Sequence, residues 1–310
     1  VVITPDIFTI LSLGVLGMLA GGIGALVGVG GGIFIVPALI LFFGIDIKYA
    51  VAASLLAVVA SSTAAGSVYV GRGLTNMRLG MTLEVSTTLG GVAGSFLVMW
   101  ISQSLLLLCF SLLLSVVAFL TLRSKEAVRV AVNEANPEGP SATLPVDNKD
   151  RVDAVTTEVT PKMRKGRFDG TYFDSHLKQA INYHTKWLPF GMIISFFAGI
   201  ISGMLGVGGG FMKVPAMNLG MKVPIKAAAA TSNFMIGVTA ASSLYVYFAH
   251  NLIQPMIAAP LVCGAVVGTF LATRASHLVS ASALKKVLSV IMFFVSVTLF
   301  YQYVRGVFGF

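Results

Sequence analysis

A chain of 310 residues that is 56% hydrophobic and only 11% charged, with a mean hydropathy of +0.89, has too few polar groups to cover a soluble domain, in which roughly 25% of residues are charged. The net charge of +9 is unevenly spread: residues 123 to 186 hold 11 of the 21 Lys and Arg and 9 of the 12 Asp and Glu, so the acids elsewhere are Asp6, Asp46 and Glu84 alone. The composition excludes a soluble globular enzyme and predicts an all-α polytopic membrane protein, with a surplus of bases that suits both positive-inside loops and an anionic cargo.

Runs of the roughly 20 apolar residues that a bilayer crossing needs occupy 7–27, 49–70, 80–100 and 104–122 in the first half, with a short run at 33–44. The second half repeats the plan at 188–205, 226–248, 255–273 and 284–304, with a short run at 211–219. The first run continues into glycines without a cleavage site, so it reads as retained structure and not as a signal peptide. Between the halves, Asn136-Pro137-Glu138-Gly139-Pro140 reads as a linker, and the stretch from Phe168 to Trp187, with aromatics beside Lys178 and Lys186, as a helix on the membrane surface. Three parts result: an N-terminal membrane repeat at 1–122, a charged cytoplasmic connection at 123–186 and a C-terminal membrane repeat at 187–310. Cys109 and Cys263 lie in apolar runs and are not mates in the repeat, which predicts packing roles without a disulfide or a metal site.

The repeat itself is written in glycine. Gly28-Val29-Gly30-Gly31-Gly32 returns 178 positions later as Gly206-Val207-Gly208-Gly209-Gly210, and the same offset pairs Pro37 with Pro215, Lys48 with Lys226, Ser54 with Ser232, Tyr69 with Tyr247 and Gly90 with Gly268. Each glycine costs a helix interior about 1 kcal/mol relative to alanine, so the motif predicts a broken helix, which lipid tolerates only where protein buries it or where it lines a cavity. Broken helices in two halves are how secondary transporters build a midplane site. Placing the basic short loops, 71–79 with Arg72 and Arg78 and 274–286 with Arg274, Lys285 and Lys286, on the cytoplasmic side turns each glycine unit into a re-entrant hairpin followed by three spans. The halves are then inverted repeats. The rival count takes each unit as one broken span, giving eight crossings and parallel halves.

These paired glycine motifs, each with its following proline, together with Ala52-Ala53-Ser54 and Ala230-Thr231-Ser232-Asn233 downstream, resemble the TauE/SafE family of bacterial sulfite and organosulfonate exporters. The resemblance covers both membrane halves and implies a multi-pass carrier of a small sulfur-containing anion in the bacterial cytoplasmic (inner) membrane. The central segment is longer than the family leads one to expect.

In that setting, Gly30, Gly31 and Gly32 and their mates Gly208, Gly209 and Gly210 bring backbone amides and helix N-termini close to a sulfonate; alternatively they permit tight helix packing. Lys213, whose mate is Ile35, either balances the anion or snorkels to the cytoplasmic surface. Ser54, Thr231, Ser232 and Asn233 add neutral donors, or bond within their own helices. Glu84 reads either as a proton-coupling carboxylate or as the partner of Arg78 in a surface ion pair. Lys48, Lys222 and Lys226 belong at interfaces, and Ser61-Ser62-Thr63 in helix packing. No nucleophile, acid–base pair or dinucleotide fingerprint in a βαβ setting is present, so no enzyme, cofactor or nucleic-acid partner is expected. The expected partners are the bilayer, a small anion and, compatibly, a second copy in a homodimer. A filter-forming anion channel and a non-transporting scaffold are the rival classes; unitary currents mark the first, and loss of any anion-dependent thermal stabilisation the second.

Overall fold

The computed structural model describes residues 6–28, 30–123, 168–174, 179–274 and 281–308. In chain order the elements are α1 (Ile7–Val27), α2 (Gly32–Phe43), α3 (Ile47–Gly71), α4 (Met77–Trp100), α5 (Gln103–Arg123), β1 (Gly170–Asp174), β2 (Gln179–Tyr183), α6 (Leu188–Leu205), α7 (Gly210–Pro215) with a π-helical turn at Ala216–Gly220, α8 (Ile225–Ala249), α9 (Pro255–Arg274) and α10 (Ala281–Phe308). Among the described residues seven helices, α1, α3, α4, α5, α6, α9 and α10, are long and apolar enough to cross a membrane. The eighth long helix, α8, matches α3 at 25 residues. The protein is therefore an all-α polytopic membrane protein, as its composition requires.

Both glycine motifs break the helix in the same way. α1 ends on Gly28 with φ +74° and α6 on Gly206 with φ +69°, left-handed conformations that cost an L side chain about 1–2 kcal/mol. The chain then folds back along the helix it has left: a Cβ on Gly31 would lie 2.9 Å from the carbonyl oxygen of Ala20, and one on Gly209 3.0 Å from that of Ala198. A short helix follows each reversal, and its first turn is closed in both halves by the carbonyl of Gly31 or Gly209, which accepts from Phe34 and Ile35 or from Met212 and Lys213. Pro215 has no amide hydrogen to continue α7, and the chain widens there into the π-helical turn.

The long helices pack mainly across the halves. α1 lies along α9, α6 along α4, α3 along α8 and α5 along α10. Each half thus lends its first helix to the other. Small residues make the contact close enough for backbones to touch. On the α1–α9 seam a Cβ on Gly268 would run into the carbonyl of Met18, and one on Gly21 into Ala265; on the α4–α6 seam a Cβ on Gly90 would run into the carbonyl of Phe196, and one on Gly199 into Thr87. These pairs are the same contacts 178 positions apart.

The stretch from Phe168 to Trp187 departs from expectation. It is not a surface helix: Gly170–Asp174 and Gln179–Tyr183 pair as an antiparallel hairpin, and α6 begins directly after Trp187. Thr171, Tyr172, Phe173, Ile181 and Tyr183 are the β-branched and aromatic residues that favour strands. The hairpin is seated on the N-cap of α4, where the Asn76 side-chain amide donates to the Phe168 carbonyl (3.0 Å) and the Tyr183 hydroxyl (3.1 Å) while its oxygen accepts from Leu79 (3.1 Å). Lys186 donates its amide to the carbonyl of Met221 (3.2 Å), which ties the same segment to the end of the π-helical turn. Buried Leu79, Leu83, Tyr183, Met217 and Met221 fill the space between, and a cavity of about 190 Å³ lined by residues 73–78, Gly170, Thr171 and Tyr183 lies beside it. The linker around Pro137 lies outside the described residues.

Candidate functional site

The two glycine turns meet. A Cβ on Gly32 would strike the carbonyl of Gly206, and one on Gly30 would lie 2.9 Å from the carbonyl oxygen of Val207. Ser54 on α3 donates to the Gly206 carbonyl (2.9 Å), and its mate Ser232 on α8 donates to the Gly28 carbonyl (3.3 Å), so each half's crossing helix grips the other half's turn. Two further bonds act within each half: Tyr247 donates to the carbonyl of Gly203 (2.8 Å) and its mate Tyr69 to that of Ala25 (3.1 Å). Gly208 is closed in by Ile236 and Val58, themselves mates on α8 and α3. Backbone against backbone therefore fills the crossover, and the carbonyls of Gly28 and Gly206 are held by hydroxyls, unlike the open rings of a selectivity filter.

The remaining polar candidates divide. Asn233 donates its side-chain amide to the Ala25 carbonyl (3.3 Å), and its own backbone carbonyl accepts from Ser62, so both stand at the crossover. Ser62 thus bridges two helices, a tie across the halves. Thr231 lies away from it, accepting the backbone amide of Asn76 (3.0 Å) at the N-cap of α4.

Lys213 follows Gly209 by one turn, yet its side chain leaves the glycine centre. It is 1% exposed, so it does not snorkel; the ammonium donates to Thr239 on α8 (2.9 Å) and lies 3.7 Å from Glu84 Oε2 on α4. Glu84 is not the partner of exposed Arg78. Its Oε1 accepts from Thr239 (2.6 Å) and from Thr88 (3.2 Å), and its side chain is 8% exposed. Thr88 and Glu84 are one turn apart on α4, whereas Thr239 and Lys213 reach them from α8 and α7. A carboxylate among apolar helices is stable only with an answering charge and hydrogen bonds; here the hydrogen bonds are on Oε1 and the charge stands nearest Oε2. Among the described residues Oε2 has no hydrogen-bond partner.

Sequence reasoning found each of these two residues and missed that they belong together. The signal was present: two opposite charges, each isolated in an apolar run, are expected to pair inside a membrane. Proximity in sequence favoured Arg78 instead, because a residue within two α-helix turns is nearer than another helix only along the chain.

The comparisons agree with this architecture. The chain is similar over 295 residues, at 23% identity and covering 93% of it and 96% of the relative, to the "Probable membrane transporter protein YunE" of Bacillus subtilis. It is also similar, at 27% identity over 278 residues with 87% of it and 86% of the relative covered, to a "Probable membrane transporter protein" of Xylella fastidiosa. No solved structure matches it. With paired glycine turns interlocked at the centre of the fold and the sulfite exporter TauE/SafE model matching residues 13–299, the chain belongs to the TauE/SafE family of membrane transporters.

Proposed function

We propose that the protein is a secondary transporter that exports a small sulfur-containing anion, sulfite or an organosulfonate such as sulfoacetate, across the bacterial cytoplasmic membrane. The observation that carries the reading is the meeting of the two GVGGG turns, one from each half, beside a fully buried lysine in a chain of this family. Gly30, Gly31, Gly32, Gly208, Gly209 and Gly210 would supply backbone amides once the turns part, Ser54, Ser232 and Asn233 neutral donors, and Lys213 the formal charge, whereas Thr231, held at the N-cap of α4, would stand outside the site. The two membrane repeats, 1–122 and 187–310, would be inverted, each with a re-entrant glycine hairpin and three spans, and the connection at 123–186 cytoplasmic. Supporting the inverted arrangement, Arg72 at the end of α3 donates to the Thr273 carbonyl at the end of α9 (3.4 Å), so the two basic loops leave the helices at neighbouring points. Parallel halves would set those loops on opposite faces.

The test is a thermal-shift screen of the purified protein with sulfite, sulfoacetate, methanesulfonate and sulfate, followed by flux of the stabilising anion in proteoliposomes. Saturable flux of a sulfur oxyanion, lost in Lys213→Met, is the expected result. Stabilisation by carboxylates alone would move the substrate to another class, and unitary currents would replace the carrier with a channel.

A further inference from the structure

The scaffold obeys the 178-residue offset closely, and the polar cluster around Lys213 does not. Lys213, Glu84 and Thr239 have Ile35, Val262 and Ser61 as their mates. Ser202 and Ser243, whose buried hydroxyl oxygens are without hydrogen-bond partners among the described residues, have Gly24 and Ala65. Ser243 lies against Gly91 and Ser202 against Gly209, so both border the helices that carry the charged pair. One side of a two-fold frame thus carries a charged position with three hydroxyl residues around it, for which the other side has uncharged residues and the single hydroxyl of Ser61. Packing does not require it, since the counterpart packs without it.

The pair is also incomplete. An ammonium offers three donors, and among the described residues hydrogen bonding places only Thr239 on that of Lys213. At 3.7 Å the approach to Glu84 Oε2 is an ion pair without a hydrogen bond, and that oxygen is otherwise unpartnered. Other charges are remote from it. Among the helices packed on α4, α6 has no titratable residue; α8 has Lys226 in its first turn and Tyr245 and Tyr247 two turns past Thr239, the last committed to Gly203; and Arg78 on α4 itself is exposed.

We propose that Glu84 is the stand-in anion of the transporter and its proton-coupling residue. Resting on the transport reading above, the step balances as follows. Glu84, as carboxylate, occupies the charge of Lys213. A proton taken from solution onto Oε2 makes Glu84 a neutral acid, and the freed ammonium then binds one negative charge of the substrate, with Ser202 and Ser243 as spare donors. The buried position holds no net charge before or after the exchange. One proton accompanies each anionic charge across the membrane, and the membrane potential does no work on the pair.

The full-length protein in lipid nanodiscs is mixed with methanesulfonate, whose charge is the same at every pH used, in weak buffer near about pH 7.5 with a pH-sensitive dye. One proton should leave solution for each anion bound, and Kd should rise about tenfold per pH unit on the alkaline side. Glu84→Gln should bind without proton uptake and with a Kd flat in pH; Lys213→Met should not bind. Should Glu84→Gln fail to fold, proton uptake by the unmodified protein decides. Binding without proton uptake, or a pH slope retained in Glu84→Gln, overturns the proposal and leaves the transport reading standing. Failure of methanesulfonate, sulfite and sulfoacetate to bind at any pH removes both.

Discussion

Lys213 and Glu84 show how a membrane interior turns two isolated charges into one object. Each alone would be a severe cost in lipid; together they are tolerated, and removing either exposes the other. Lys213→Met is therefore expected to destabilise the protein in detergent by about 3–5 kcal/mol, the typical result of breaking a buried pair, whereas Lys213→Met with Glu84→Gln should recover most of the loss. Thermal unfolding of the single and double variants checks this; equal melting of Lys213→Met and the parent would mean that the pair is already broken in solution. From sequence alone the empty position looked like an unanswered positive charge, to be relieved by substrate. Glu84 answers it, from a helix whose distance along the chain gave no hint of contact.

At the level of elements the spans were legible and their neighbours were not. Apolar runs mark α1 and α6 to the residue, because glycine ends both sharply, and the remaining helices to within a turn. The hairpin at 170–183 was hidden because its aromatics and lysines also fit an interfacial helix; strand propensity joins the docking at Asn76 and Met221 in favouring strands. Nor did hydropathy reveal the exchanged packing of α1 with α9 and α6 with α4, since lipid-facing and helix-facing surfaces are both apolar. The small residues on those seams were the available sign. Gly90→Val should cost about 1–3 kcal/mol by driving α4 off the Phe196 carbonyl. Gly71→Ala, in open space and with an ordinary helical φ, should be neutral or stabilise by up to about 1 kcal/mol. Fluorescence-detected melting of the two variants separates a packing glycine from a permissive one; equal melting would argue against the seam.

For the whole molecule, the internal duplication was readable from five letters repeated once, and the structure gives it a physical purpose: hydroxyls at Ser54 and Ser232 each hold the opposite half's turn. What one sequence could not convey is the sidedness of the frame. Impermeant thiol reagents should label a cysteine at Gly73 only from the cytoplasmic side and one at Asn251, in the loop between α8 and α9, only from outside, in a background lacking Cys109 and Cys263. Labelling of both positions from one side would remove the inverted arrangement. The connection at 123–186 gains a tangible end in the same view, because its last residues are fastened to both halves, at Asn76 and at Met221.

The exchange of first helices has a consequence for how the protein is made. The finished fold treats its halves alike, but the ribosome does not. When α6 emerges, its partner α4 is already inserted and the seam closes at once. α1 leaves the ribosome before the other described helices, and the surface it needs, on α9, begins only at Pro255. Through most of synthesis the Gly17–Gly21 face of α1 stands against lipid, and the N-terminal half waits for the C-terminal half to lock it. Errors in Gly264 or Gly268 would thus strand a helix made long before, and quality control in the membrane would meet them as an orphaned α1, far in sequence from the altered residue.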